Sequence, residues 1–334
     1  DMDIQRITGD KAVIVGVTDS KSYAIKEDGV CSFSALGSKN MSGKVGPDMK
    51  DGRSTVDIMK MVEFDTLIEA SPTNVETGGE GLANIRWALE NGKNVITVNK
   101  GPLALEFAEL MATAKKNGCM LRFEGSVGGA MPIINLCNDA LAGQKIKSIQ
   151  GIFNGTCNFI LSRMDGGLPF DHALKEAQQL GYAETDPTND IEGYDSASKV
   201  VILANSVFGM NAKFKDVSVT GITAVTSEAI TLARESGMVI RLIGEVSKDK
   251  LEVSQREIDT AVLVAADRWL RATAGFSLGD VVMVERDAVT LEHFRRLGQE
   301  WRVKPLAWTA DEMRPALAAS RKRISTRLTY CHSV

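Results

Sequence analysis

Along the first 123 residues, short apolar runs alternate with stretches of helical spacing. Ala12–Val17 (AVIVGV) is a continuous run rich in β-branched residues that ends at Thr18-Asp19, as a buried parallel strand would. Phe64–Ala70 (FDTLIEA) and Asn94–Val98 (NVITV) repeat that pattern, and Met120–Phe123 is a further short strand. Between them, Gly79–Asn91 carries Leu82, Ile85 and Leu89 on one stripe, and Gly92 closes it as a C′ glycine closes a helix. Leu103–Asn117 reads as another helix, stopped by Gly118. Strand, helix, strand, helix, strand predicts an α/β fold built on a doubly wound parallel sheet.

From Gly125 the texture changes. A glycine-rich turn leads to Pro132–Leu141, a helix candidate, and then to the strand-like Ile146–Phe153. Asn154-Gly155-Thr156 opens a helix running to Met164, Pro169–Leu180 is a helix ended by Gly181, and a long helix spans Tyr194–Phe208. Val217–Ile222, Ile240–Val246 and Leu251–Val253 read as strands of a second sheet, so this part is an α+β domain. After residue 255 arginine takes over from lysine: eleven arginines and two lysines follow, against seven and nineteen before. A domain boundary or a different coding origin accounts for the change equally well. The pattern therefore divides the chain at 1–123, 124–255 and 256–334.

Composition narrows the function. A net charge of −4 over 334 residues gives no polyanion-binding surface, so nucleic acid is not an expected partner. No run of about 20 apolar residues is present, so no membrane span is expected. The chain opens with Asp1, and no basic-then-apolar leader follows, so no signal peptide is expected. Cys31, Cys119, Cys137, Cys157 and Cys331 are scattered, odd in number and without CxxC pairing, as reduced thiols of a cytoplasmic protein would be. His172, His293 and His332 are too few and too dispersed for a zinc site or a Ser-His-Asp triad.

A dinucleotide fold places a glycine-rich turn after its first strand, where pyrophosphate meets backbone N–H groups at a helix N-terminus. No GxGxxG occurs; Gly79-Glu80-Gly81 follows a later strand and has Asn84 where the third small residue belongs. The strand ending at Asp19 instead has the character of the second strand of such a fold. Asp19 could then hold the adenosine ribose hydroxyls, or simply cap a turn. The densest chemistry is Glu184, Asp186, Asp190, Glu192 and Asp195, five carboxylates in twelve residues. They need something cationic nearby unless they are merely a solvated acidic loop. Asp195 and Lys199 stand i, i+4 on one helix face, and the apolar Val200–Ala204 that follows draws Lys199 into a mostly buried element. A lysine in such a place can have its proton affinity tuned for transfer.

The run GIFNGTCNFILSRM from Gly151, continuing through FDHALKEAQQLGYAETDPTNDIEGYDSASKVVILANSVFG to Gly209, closely resembles the catalytic core of homoserine dehydrogenases. VNKGPLA (98–104) and FEGSVGGAMP (123–132) resemble the same family, and the likeness runs from about Val13 to Val253. Small monofunctional archaeal-type members look most similar. The resemblance implies a Rossmann-like domain with an α+β catalytic and dimerisation domain, a homodimer, and interconversion of L-homoserine and L-aspartate 4-semialdehyde with NAD or NADP. It implies that Lys199 exchanges the proton of the reacting oxygen, assisted by Lys100, and that Glu184, Asp190 and Asp195 hold the substrate. Carboxylates suit an α-ammonium through charge-assisted bonds. Asp19, Ser71, Lys100 and Gly181 would contact the cofactor; Asp19 argues for NAD, while Ser20-Lys21-Ser22 would suit a 2′-phosphate. Glu124, Val127, Gly129 and Met131 resemble the family's Na⁺ loop, which without the resemblance reads as a glycine-rich hinge.

The two ends depart from the family pattern. The first strand and glycine-rich loop are missing or unrecognisable. Phe276–Val284 resembles the strand that returns to the nucleotide-binding domain, but Glu285-Arg-Asp-Ala-Val lacks the expected glycine turn. A remnant of the family that binds substrate but no dinucleotide is therefore the alternative. A cysteine-dependent semialdehyde dehydrogenase would need an activated Cys157, for which no histidine partner motif is evident.

Overall fold

A computed structural model describes residues 12–49, 53–129, 131–260, 280–286 and 328–332. Strands β1 (Gly16–Thr18) and β2 (Tyr23–Ile25) are followed by helices α1 (Ser32–Ser42) and α2 (Thr55–Met59). Next come β3 (Thr66–Glu69), α3 (Gly79–Glu90), β4 (Asn94–Thr97), α4 (Lys100–Lys116) and β5 (Leu121–Arg122). The structure divides into two units between Phe123 and Glu124. In the first, β3, β4 and β5 form a parallel sheet in sequential order, joined by the crossover helices α3 and α4. This is a Rossmann-like α/β arrangement.

Alternation along the strands says which face of that sheet is covered. Leu67, Val95 and Leu121 lie in register, with Val95 fully buried, and α3 lays Leu82, Ile85, Ala88 and Leu89 into the core. The opposite row, Ile68 and Ile96, is exposed. Each fully buried aliphatic side chain of this core contributes about 1.5–3 kcal/mol.

The hydrophobic pattern puts Ala12–Val17 in the parallel sheet as a buried strand. The structure corrects this: β1 pairs antiparallel with β2, and Val13 and Ile14 are about half exposed. The cause is local. Asp19 Oδ1 accepts from the amides of Lys21 and Ser22 at 2.8 and 2.7 Å and from the Ser22 hydroxyl at 3.0 Å, which folds the Asp-Ser-Lys-Ser string into a tight turn. An antiparallel hairpin needs only that turn, whereas a parallel partner needs a whole crossover.

The second unit contains α5 (Ile133–Asn135) running into a single π turn over Leu136–Ala140, β6 (Ile146–Gly151), α6 (Gly155–Asp165), α7 (Phe170–Gln179) and α8 (Thr188–Ile191). It continues with α9 (Tyr194–Phe208), β7 (Ser218–Val219), α10 (Ser227–Glu235), β8 (Met238–Ser247), β9 (Leu251–Asp259), β10 (Asp280–Arg286) and β11 (Leu328–His332). The sheet order is β11-β10-β6-β8-β9-β7. Helices α6, α9 and α10 pack on β8. The family resemblance implies that the segment after residue 255, though divergent, returns to the nucleotide-binding domain. Its described strands do otherwise: β10 pairs antiparallel with β6, and β11 with β10, so both extend the second sheet. Beyond residue 260 the remainder of that segment, with Arg321-Lys322-Arg323, lies outside the described residues.

Candidate active site

Helix α9 carries the centre of the second unit's chemistry. Gly193, in the left-handed region at φ 85°, turns the chain into α9, and Gly209 at φ 62° terminates it. Residues 200–205 are buried, so the helix is held by packing on all sides. Asp195 falls in its first turn, where the helix dipole favours a carboxylate. Lys199 Nζ lies 2.8 Å from Asp195 Oδ2, one turn on, and both side chains are little exposed, at 12% and 13%. Lys199 Nζ also donates to the carbonyl of Phe153.

That carbonyl belongs to the turn between β6 and α6. The ring of Phe153 sits directly over Gly244 of β8, where a Cβ would collide with it. The next residue, Asn154, is the N-cap of α6: its Oδ1 accepts from Cys157 N at 2.7 Å. Its Nδ2 donates to Asp190 Oδ1 at 2.7 Å and to Asp195 Oδ2 at 3.0 Å. Asp190, within α8, is half-buried. Burial pushes its carboxyl above the ordinary range, against the hydrogen bond from Asn154 that favours the charged form. Thr156 Oγ1 donates to the Tyr182 carbonyl at 2.7 Å, and the Tyr182 ring stacks on Phe159 with centroids 4.8 Å apart.

Cys157 is fully buried, and its Sγ donates to the Asp190 carbonyl at 3.0 Å. Burial, then the Asp190 and Asp195 carboxylates, push the thiol well above its ordinary value. A cysteine held as a thiol is no nucleophile, which removes the chemistry a cysteine-dependent dehydrogenase would need.

Of the predicted substrate residues, Asp190 and Asp195 are thus brought together with the predicted catalytic Lys199. Glu184 is exposed, and among the described residues its carboxylate makes no ion pair; its carbonyl holds Gln178 Nε2 at 3.2 Å. Gly181, at φ 78°, is the C′ residue of α7, with Tyr182 N bonding back to the Ala177 carbonyl at 2.9 Å. Asn154 and Thr156 escaped the sequence reading. The only signal was an Asn-Gly-Thr at a helix start, which a cap alone explains.

The first unit has a second polar cluster, at the carboxyl ends of β3 and β4. Glu69 is buried, at 3% exposure. Its Oε1 accepts from Ser71 N at 2.9 Å and its Oε2 from Thr97 Oγ1 at 3.4 Å. Asn99 caps α4 through Gly101 N at 3.2 Å and donates from Nδ2 to Ser71 Oγ at 3.3 Å. Lys100 is the first residue of α4. Gly81 of α3 closes the cluster: a Cβ there would lie 2.5 Å from Asn99 Nδ2 and 3.1 Å from both Glu69 Oε2 and Ser71 Oγ. Glu69 was missed because it sits inside an apolar run.

Asp19 is occupied locally. Its Oδ2 pairs with Lys39 at 2.6 Å. Burial opposes ionisation, but the Lys39 ammonium and the Lys21 and Ser22 amides outweigh it and hold the carboxyl well below the usual range. In the loop after β5, Glu124 accepts from the amides of Ile134 and Asn135 at 2.9 and 2.8 Å, and burial pushes its carboxyl up against those bonds.

Comparison with known proteins decides the family. A homoserine dehydrogenase family model matches residues 132–275. A curated homoserine dehydrogenase of Methanocaldococcus jannaschii is 50% identical over 243 residues, 72% of each chain. The chain belongs to the homoserine dehydrogenase family. An NAD⁺-dependent homoserine dehydrogenase of Pseudomonas canavaninivorans is 45% identical over 192 residues, covering 58% of this chain but 54% of its own. Among solved structures, a candidate homoserine dehydrogenase from Archaeoglobus fulgidus superposes with a TM-score of 0.71 at 39% identity, covering 90% of this chain and 92% of its own. A hyperthermophilic archaeal homoserine dehydrogenase in complex with NADPH gives 0.65 at 25% identity, covering 82% and 79%. The Asp190–Asp195–Lys199 cluster lies inside the segment the family model matches.

Proposed function

We propose that the chain is an NAD(P)-dependent oxidoreductase interconverting L-homoserine and L-aspartate 4-semialdehyde. The observation that carries this is the Lys199–Asp195 pair, little exposed and seated in the family's matched segment. The nicotinamide, when bound, supplies the hydride donor or acceptor. In the reducing direction the Lys199 ammonium gives its proton to the aldehyde oxygen; in the oxidising direction the neutral amine takes the hydroxyl proton back. Asp195 fixes the amine, and Asp190, Asp195 and Glu184 receive the substrate's ammonium and hydroxyl region. Lys100 shares in polarising the reacting oxygen.

The residues of the first unit fit a dinucleotide. Ser71, Asn99 and Lys100 gather at the carboxyl ends of parallel strands, where open α/β sheets take their ligands. Ser71 and Lys100 would hold the cofactor there. Asp19 would be available to a ribose only by giving up the turn it closes. For a cation, Glu124 with the carbonyls of Val127, Gly129 and Met131 is a hard-oxygen set suited to Na⁺. We also assign a cytoplasmic homodimer formed through the second unit's sheet. Among the described residues, no helix is long and apolar enough to cross a membrane.

The test is a titration of purified chain against NADPH and NADH, followed by nicotinamide fluorescence, and an assay of homoserine-dependent reduction of NAD⁺ and NADP⁺. Saturable binding of either nucleotide with turnover is expected. Binding of neither, with no turnover, would overturn the reading in favour of a cofactor-free remnant. Light scattering of the same sample checks the dimer.

A further inference from the structure

Asn154 joins two carboxylates of the Lys199 cluster through one nitrogen, with Asp190 Oδ1 at 2.7 Å and Asp195 Oδ2 at 3.0 Å from its Nδ2. We propose that Asn154 is a positioning residue for the reaction, a clamp that holds Asp190 and Asp195 side by side so that Asp195 keeps Lys199 in place. This rests on the homoserine dehydrogenase reading.

The amide cannot be turned the other way round. Cys157 N–H needs an acceptor, which only the amide oxygen provides, so Nδ2 must face the carboxylates. The residue type is also more specific than its cap requires. Serine, threonine or aspartate would cap α6 as well as asparagine does, but among these four only asparagine adds two N–H donors. Those donors are what two neighbouring carboxylates lack. The preceding residue completes the arrangement, since the Phe153 carbonyl takes the other hydrogen bond from Lys199. One turn, Phe153-Asn154, therefore holds the lysine directly and its carboxylate partner through an amide. Five side chains bear on Asp190 here: Asn154 at the turn, Thr156 and Cys157 from α6, and the charged pair Asp195 and Lys199 from α9.

Cap and clamp can be separated. Asn154→Ser keeps an oxygen for Cys157 N and removes the bridging amide. We expect kcat for homoserine to fall at least thirtyfold with NADPH affinity unchanged. The acid limb of kcat/KM should move to higher pH, because Asn154 favours the charged form of Asp190. Wild-type kcat and an unmoved acid limb would overturn the clamp. A second measurement needs no turnover. A carboxyl whose pKa is raised in the fold stabilises most when protonated, and that contribution is lost as pH rises through the folded value. Losing the clamp raises Asp190 further, so the thermal deficit of Asn154→Ser should be larger at pH 7 than at pH 4. An equal deficit at both pH values means a cap and nothing more. This arm stands even if the wild-type chain proves inactive, a result that would sink only the functional reading. Should Asn154→Ser fail to fold, Asn154→Asp keeps the cap oxygen and adds a third carboxylate. It should fold and lose activity with the same upward shift of the acid limb, and wild-type turnover in it would overturn the proposal.

Discussion

The two polar clusters are built on opposite plans. In the first unit the buried carboxylate, Glu69, bonds to a backbone amide and a hydroxyl, and the strand ends are locked by neutral hydrogen-bond donors. In the second, Asp195 faces a lysine at 2.8 Å and an asparagine at 3.0 Å on a helix made rigid by burial. A cluster of the first kind fixes backbone. A cluster of the second kind holds an exchangeable proton at a defined atom. The proposed function turns that difference into a division of labour, with cofactor placement assigned to the first unit and proton transfer to the second.

Lys199→Ala breaks the comparison most sharply. Turnover should fall by on the order of 10³–10⁴-fold, the share that positioned acid–base catalysis supplies at its upper end. NADPH affinity should stay nearly unchanged. Wild-type-like turnover in this variant would refute the assignment of the second cluster. Glu69→Gln tests the first cluster with the reverse signature. It keeps the shape but gives Ser71 N a weaker acceptor and turns an amide donor toward Thr97 or Ser71. A loss of about 1.5 kcal/mol, or roughly tenfold in NADPH Kd, is expected, with KM for homoserine unchanged. A selective rise in KM for homoserine would show that the division is drawn wrongly.

Gly244→Ala should have a smaller effect, confined to the second unit. A Cβ there presses on the Phe153 ring and, through it, on the carbonyl that accepts from Lys199. Overpacking of this kind costs about 1–3 kcal/mol. A severalfold fall in kcat with a lower thermal midpoint is expected, and nucleotide titration should be unaffected. An unchanged kcat would mean that the Phe153 carbonyl does not set the position of the lysine.

Helical signals in the sequence carried much of this picture. The sequence predicted a long helix over about Tyr194–Phe208, the range the structure has, because α9 is defined by local spacing and by its own end residues. The i, i+4 spacing likewise brought Asp195 and Lys199 together in advance. What stayed hidden depends on contacts far along the chain. Asn154 meets Asp190 and Asp195 across 36 and 41 residues, and no periodicity reports that. The β1 segment failed for the opposite reason: a strong local turn overrode an apolar run that, by pattern alone, suits a buried parallel strand.

Asp19 is where these two kinds of signal compete, and the smallest predicted effect decides between them. With its carboxylate held by Lys39 and two backbone amides, its first task is to close the β1–β2 turn. Its folded pKa lies below the unfolded value, so its stabilisation is present above pH about 4, the ordinary range for aspartate, and is lost as pH falls toward the folded value. Asp19→Asn should therefore lower the thermal midpoint by a few degrees at pH 7, and the deficit should shrink as the pH drops below that range. NAD⁺ affinity should hardly change, because an oxygen already committed to the hairpin is a poor ribose acceptor. A loss of NAD⁺ affinity with no thermal deficit would instead assign Asp19 to the cofactor. It would also mean that the turn opens when nucleotide binds.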